Sequence, residues 1–248
     1  MEDNIKRLLD KLAAHKKKLD ALRPFSKGVM AKLKEYYDVE GTYNSNAIEG
    51  NTLSLGETKL VILDGVTIGG KSVREHLEAI NHKKAIDYLE SIVGQTPQIS
   101  EELILEVHKL ILREIDDENA GKYRDKKVHL SGSRYLPPDP QVVPLKMREF
   151  IAQINQGGKQ PVIAAADAHY GLVTIHPFID GNGRTARLLM NLLLLRTGYP
   201  PAIVPVSRRE EYIKSLEKAQ TTGEMASYYI LICECAEYSL AQYIRAVE

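Results

Sequence analysis

The chain of 248 residues carries 44% hydrophobic and 27% charged side chains, the balance of a folded globular protein long enough to bury a sizeable core. Its 33 lysines and arginines match its 33 aspartates and glutamates, which gives no support to a nucleic-acid wrapper or a polybasic membrane binder. No apolar run of spanning length and no signal peptide stands out, and Cys233 and Cys235, two apart in a helical pattern, cannot build a disulfide framework; a cytoplasmic protein without nucleic-acid or membrane partners is expected.

From the N-terminus, Ile5, Leu8, Leu9 and Leu12 recur at helical spacing, followed by the solvated charge run Lys16 to Lys18. Further helical patterns cover about Phe25–Tyr37, Ser72–Ile92, Ser100–Ile115, Pro144–Ile154, Pro161–Thr174, Arg184–Thr197, Arg208–Gln220 and Met225–Val247. Ser100 followed by Glu101 and Glu102 has the form of a capped start with acid in the first turn. Strand-like sequence is scarce. Lys127–Leu130 and Arg134–Leu136 flank Ser131-Gly132-Ser133 and end at Pro137-Pro138, which predicts one short β-hairpin. The expected fold class is therefore all-α, a single mostly helical domain with that hairpin as its one β element.

Gly65 to Ser72 matches the phosphate-loop pattern Gly-x-x-x-x-Gly-Lys-Ser, and Leu60–Leu63 before it could serve as a strand. That motif works at the edge of a parallel sheet, and this chain supplies no other buried strand to flank it. The segment reads instead as a glycine-rich turn between helices.

The chemistry concentrates in His176-Pro-Phe-Ile-Asp180-Gly-Asn-Gly-Arg184-Thr-Ala-Arg187. Gly181-Asn182-Gly183 can turn tightly and bring successive amides toward one point, a concavity suited to anions. A helix starting near Arg184 adds its free amides and positive dipole end. Arg184 and Arg187 are three apart, and two guanidiniums beside an amide nest suit a polyphosphate. Asp180 can cap the helix or, beside phosphates, ligate Mg²⁺. His176 precedes a proline, which predicts extended backbone there, and its imidazole can take a proton from an incoming hydroxyl. Phe178 reads as a core anchor. Leu188–Leu195 is apolar almost all round, hence buried, and Asn191 within it reads as a structural hydrogen-bonder.

This stretch resembles the Fic family signature, His-x-Phe-x-(Asp/Glu)-Gly-Asn-Gly-Arg-x-x-Arg, at every specified position. The resemblance implies a helical Fic fold and transfer of AMP from ATP to a serine, threonine or tyrosine hydroxyl of a protein. It implies His176 as base, Asp180 as the Mg²⁺ ligand, and Gly181, Asn182, Gly183, Arg184 and Arg187 as the phosphate site. The related kinase-like Doc proteins depart at the acid and the second glycine, both kept here. By the same resemblance the Val128–Tyr135 hairpin is the flap on which a protein substrate docks as an added strand, with Leu130, Ser131, Gly132 and Ser133 beside the nucleotide. Glu211, Tyr212 and Gln220 fall where relatives line the adenine pocket; Gln220 replaces a common asparagine.

A second motif, Ser45-Asn-Ala-Ile-Glu49-Gly50-Asn51, resembles the inhibitory signature (Ser/Thr)-x-x-x-Glu-(Gly/Asn) of the class with an N-terminal inhibitory helix. Ser45 and Glu49 share a helix face, and Gly50 ends the helix. An acid at a helix C-terminus faces the unfavourable dipole end, so it calls for an outside cation, for which Arg187 is the candidate. The chain accordingly divides into an N-terminal helical region at 1–41, the inhibitory motif at 42–51 and the Fic domain at 52–248, one globular unit. The first helix is left as packing or a homodimer contact. Two alternatives to transfer stay open: removal of AMP from a modified protein, with Glu49 aligning a water, and a binding module that holds a nucleotide without chemistry.

Overall fold

The computed structural model describes residues 2–95, 98–130 and 132–248, with no side-chain description for Glu2. Among the described residues it contains ten α-helices, two short 3₁₀ turns and no strand. In chain order the helices are α1 (Glu2–Ala21), α2 (Lys27–Ile48), α3 (Leu55–Leu63), α4 (Val73–Ile92) and α5 (Glu101–Leu112), then α6 (Val143–Asn155), α7 (Pro161–Ile175), α8 (Asn182–Arg196), α9 (Arg209–Thr222) and α10 (Ala226–Val247).

Serine starts four of the first five helices. Ser26, Ser54, Ser72 and Ser100 each accept from a backbone N–H in the first turn, and Ser54 and Ser72 complete capping boxes with Glu57 and Glu75. α8 is the axis of the molecule. Leu188, Leu189, Met190, Leu192 and Leu194 are buried around its circumference, as an all-apolar helix requires. α7 packs against α8 on one side, α5 and α4 on others, and α1 lies along α10 through Leu12 and Leu19. Close approach of α6 to α7 depends on Gly171, where an added Cβ would sit 2.6 Å from the Phe150 ring. Asn191 accepts from the Ala202 N–H at 2.9 Å, tying α8 to the chain that follows it. Cys233 and Cys235 are free and buried, as helical spacing predicts.

The sequence undercounts helix in two places. α2 runs unbroken through residues 38–41 to Ile48, joining the Phe25–Tyr37 pattern to the Ser45 motif with Glu49 as its C-cap, and α3 occupies the stretch before the glycine-rich segment. Gly65–Ser72 is indeed a turn between helices, held by Lys71 Nζ on the Thr52 hydroxyl at 3.0 Å and by the Ile68 N–H on His76 Nε2 at 2.8 Å.

The expected hairpin does not form. Among the described residues of 127–138 the backbone bonds outward rather than across a ladder. The Ser133 N–H closes a turn on the Leu130 carbonyl at 3.1 Å, the Arg134 N–H goes to the Glu217 carboxylate at 2.8 Å, and the Tyr135 N–H goes to Ser133 Oγ. An isolated two-stranded ribbon is marginal in water, and here α9 offers a charged acceptor in its place.

Candidate active site

α7 ends at His176 in the left-handed conformation, φ 50° and ψ 58°, not in the extended geometry that the following proline predicts. Two bonds hold it there: the His176 N–H closes the helix on the Leu172 carbonyl at 2.8 Å, and its carbonyl accepts from Arg124 Nε at 2.8 Å. Such a conformation costs a β-carbon residue about 1–3 kcal/mol and needs surroundings that over-determine it. Arg124, itself buried, supplies them by also donating to the Lys126 and Pro138 carbonyls, while its N–H reaches the Pro177 carbonyl. His176 Nδ1 lies 3.3 Å from the Val173 carbonyl, so Nδ1 carries the proton and Nε2 presents its lone pair. Burial lowers the His176 pKa, against the Val173 carbonyl and with help from the Arg124 charge, which keeps the ring in its proton-accepting form.

Phe178 is the anchor of the loop, fully buried and stacked on the His108 ring with centroids 3.6 Å apart. His108 accepts from the Gly121 N–H at Nδ1, so its Nε2–H donates to the Asp180 carbonyl at 2.9 Å. Burial pushes the His108 pKa down to about 4. Asn182 ties the loop to itself: its side chain accepts from the Phe178 N–H and donates to the Phe178 carbonyl, both at 2.9 Å.

Gly181 is the N-cap of α8 at φ 77° and has no side chain to cap it, so the first amides of α8 face outward uncapped. At Gly183 a Cβ would meet Glu49 Oε1 at 2.2 Å, which places the carboxylate directly on the bare Cα at the start of α8. Glu49 is the C-cap of α2 and Gly50, at φ 100°, turns the chain away. Arg187 closes the contact. It donates through Nη2 to Glu49 Oε1 at 2.7 Å and to the Ser45 carbonyl at 2.8 Å, and through Nε to Ser45 Oγ at 2.9 Å. Arg187 is 5% exposed, and a buried guanidinium of that kind requires such a partner.

Beneath Arg187 runs a hydrogen-bond chain of fixed direction. The Tyr228 hydroxyl donates to the Ala166 carbonyl and accepts from His169 Nδ1; His169 Nε2 then accepts from the Tyr212 hydroxyl, which receives Arg187 Nη1 at 3.4 Å. Burial, with the Arg187 charge, lowers His169 to about 3 and keeps it neutral. Tyr212 is thus brought to the site as the support of Arg187. Glu211 is not: both its oxygens accept from Arg208. Gln220 donates to Thr174 Oγ1 at 3.2 Å, two residues before His176. Leu130, Gly132 and Ser133 lie in the turn pinned to α9, with Tyr135 reaching the Thr174 carbonyl at 3.0 Å; Ser131 falls outside the described residues.

Arg184, 2% exposed, reaches Asp180 Oδ1 at 3.2 Å and stands 3.6 Å from Glu78 Oε1, leaving its buried Nε without a partner. Burial works against ionisation of Asp180, but Arg184, the Gly181 N–H and Arg74 outweigh it and hold the carboxyl below its usual range.

The Fic/DOC family model matches residues 98–194, which hold α5 to the body of α8 and the whole His176–Arg187 motif. The solved structure of Fic-1 residues 134–508 from Caenorhabditis elegans superposes with a TM-score of 0.88 at 34% identity, covering 98% of this chain and 72% of that one. The chain belongs to the Fic family. A Fic domain containing signaling protein from Bacteroides thetaiotaomicron also matches, with a TM-score of 0.85 at 27% identity over 98% of this chain and 96% of that one. Among curated relatives, protein adenylyltransferase fic-1 of C. elegans is 39% identical over 83% of this chain, and protein adenylyltransferase Fic of Drosophila melanogaster 36% over 97%. The chain spans 41% and 49% of those two proteins, under half of each.

Four residues that shape this Fic site escape the sequence: Arg74, His108, Arg124 and His169. The available signal for His108 was its place on the apolar stripe of α5 between Ile104 and Ile111. Arg124 and Arg74 carry no such mark, because buried and exposed arginines look alike in a sequence.

Proposed function

We propose that this chain is a protein adenylyltransferase that moves AMP from ATP to a hydroxyl of a protein substrate and is restrained by its own Glu49. The observation that carries the proposal is the Glu49 carboxylate lying on Gly183 in the grip of Arg187, an anion seated at an uncapped helix start beside a neutral histidine. A phosphate would use the same bare Cα, the same amides and the same fork, and the partnerless Arg184 Nε offers one more donor.

In the reaction, His176 Nε2 removes the hydroxyl proton as the oxygen attacks the α-phosphorus. The bond from that phosphorus to the bridging oxygen breaks and pyrophosphate leaves with its electron pair. The α8 amides, Arg184 and Arg187 hold the phosphates in line for that displacement. No cluster of three or more His, Cys, Asp or Glu side chains is present among the described residues, so a metal would rely on one carboxylate and on nucleotide oxygens. Mg²⁺ accepts such a set, and Asp180, half-exposed at the mouth of the nest, would hold it and so neutralise phosphate charge. The 128–135 segment is the proposed docking edge for the substrate, as an irregular strap rather than a formed hairpin. Residues 1–41, 42–51 and 52–248 act in this proposal as support, latch and catalytic unit, in the cytoplasm; no helix among the described residues is long and apolar enough to cross a membrane.

The test is label tracing. ATP labelled at the α-phosphate should mark protein and ATP labelled at the γ-phosphate should not; transfer of γ-label would overturn the assignment in favour of a kinase. A second activity, removal of AMP from a modified protein, draws support from Glu49 itself, whose side chain stays 41% exposed and can orient a water. Glu49→Gly should then abolish removal while raising transfer.

A further inference from the structure

Asp180 offers two oxygens, and their surroundings differ. Oδ1 accepts from the Gly181 N–H at 2.6 Å and from Arg184 Nη2 at 3.2 Å, both parts of the loop and α8. Oδ2 accepts from Arg74 Nη2 at 2.8 Å, a residue of α4 that is far away in sequence. Arg74 in turn donates through Nε to Glu78 Oε1 at 3.1 Å, one helical turn along α4. Glu78 Oε2 accepts from Asn51 Nδ2 at 2.9 Å, and Asn51 stands two residues past Glu49. The chain of contacts therefore runs from the end of α2 through Glu78 to Arg74 and on to the carboxylate at the nest.

Helix stability does not call for Arg74 in its place. It is the second residue of α4, where the helix dipole disfavours a cation, and its side chain is 57% exposed. What fixes its direction is the pair of carboxylates, Glu78 as anchor and Asp180 as target. A guanidinium stays charged at any working pH, so Arg74 competes for Oδ2 with any cation that approaches it.

We infer that Arg74 is a positioning residue that occupies Oδ2, the Asp180 oxygen not engaged by the loop and α8, so that a divalent cation binding Asp180 would have to compete with it. The inference rests on the proposed role of Asp180 and adds a second brake, on the metal rather than on the phosphates. Glu49 holds Arg187 away from a nucleotide; Arg74 holds Asp180 away from the ion that accompanies it. Both brakes are tied to the end of α2, the first through Glu49 and the second through Asn51 and Glu78.

The experiment measures Mn²⁺ binding by electron paramagnetic resonance on the whole chain saturated with α,β-methylene-ATP, which cannot be turned over. Wild type is compared with Arg74→Gln and Asp180→Asn. An exposed ion pair contributes up to about 1 kcal/mol, so Arg74→Gln should tighten Mn²⁺ binding by about 3- to 5-fold, and less in high salt. Binding of the analogue in EDTA should be the same in wild type and Arg74→Gln. Unchanged or weaker Mn²⁺ binding in Arg74→Gln overturns the inference, and weaker analogue binding in EDTA overturns it too, by making Arg74 a phosphate ligand. If Asp180→Asn binds Mn²⁺ as wild type does, the assignment of Asp180 falls first and the brake with it. That failure is separate, because it shows without any Arg74 variant.

Discussion

The catalytic loop and the 127–138 segment flank the same histidine and are held in opposite ways. In the loop, backbone groups of His176, Phe178 and Asp180 are met by Arg124, Asn182 and His108, three groups that are each almost fully buried. In the 127–138 segment, apart from the Arg124 bond to the Pro138 carbonyl at its end, the ties are peripheral: Glu217 on the Arg134 N–H and the Tyr135 hydroxyl on Thr174. The loop is thus over-determined, as a left-handed histidine demands, while the segment beside it is more loosely tied, which suits the docking edge proposed for it. In the proposed function, a rigid site next to a loosely tied edge would let one base meet hydroxyls presented by different backbones.

The comparison breaks most sharply at the base. His176→Ala should lower AMP transfer by about 10²–10⁴-fold while ATP affinity, measured by calorimetry, stays the same, because α8, Asp180 and the arginines remain. Retained turnover would move the base to another residue. Acid should act next, through His108 first among the buried histidines. Unfolded His108 titrates near pH 6.5 and the folded residue at about 4, so between those values the unfolded chain binds more protons. Its stabilising contribution is whole above about pH 6.5 and fades as pH falls to about 4, a loss of about 3 kcal/mol. Urea midpoints against pH should show a shallower acid slope in His108→Gln; equal slopes would show that His108 is not the group.

Release of the latch should come close behind. If the competent state is about 1% populated, Glu49→Gly can raise auto-AMPylation up to about 100-fold, and Arg187→Ala should not mimic it, since that change removes a phosphate ligand with the lock. An unchanged initial rate in a folded Glu49→Gly variant, checked by circular dichroism, would sink the latch. The smallest effect belongs to the adaptable edge. Tyr135→Phe removes one hydrogen bond, about 0.5–1.5 kcal/mol, and should raise KM for protein substrate more than it lowers kcat. An effect on kcat alone would mean that this segment aligns His176 instead.

Where the chemistry is local, the sequence shows it. His176, Asp180, the two glycines and both arginines stand within one loop and one helix, and Ser45–Glu49 fits one helix face, so each pattern can be read without the fold. The serine caps show the helix starts for the same reason. What escaped depends on distance. Arg124 meets His176 across 52 residues and Arg74 meets Asp180 across 106, and nothing near either arginine announces its partner. The hairpin failed for a related cause: alternating residues around Ser-Gly-Ser favour a ribbon locally, but a carboxylate on α9 took the N–H that a ladder needs. The extended geometry expected before Pro177 failed because a buried arginine reset the preference of one dipeptide.

Gly183 has one more consequence. Its missing Cβ is what allows an anion to touch the backbone there, and the nearest oxygen now belongs to Glu49. In the proposed function inhibitor and nucleotide phosphate share one seat on the same main-chain atom, so a side chain added at Gly183 would bar both. The proposed restraint would then be a contest of concentrations, a tethered carboxylate at fixed local abundance against nucleotide at whatever level surrounds the protein. Such a device would grade its output with supply instead of switching, and its set point would lie in the tether, the last turn of α2, where a change of stiffness would retune the proposed activity without touching its chemistry.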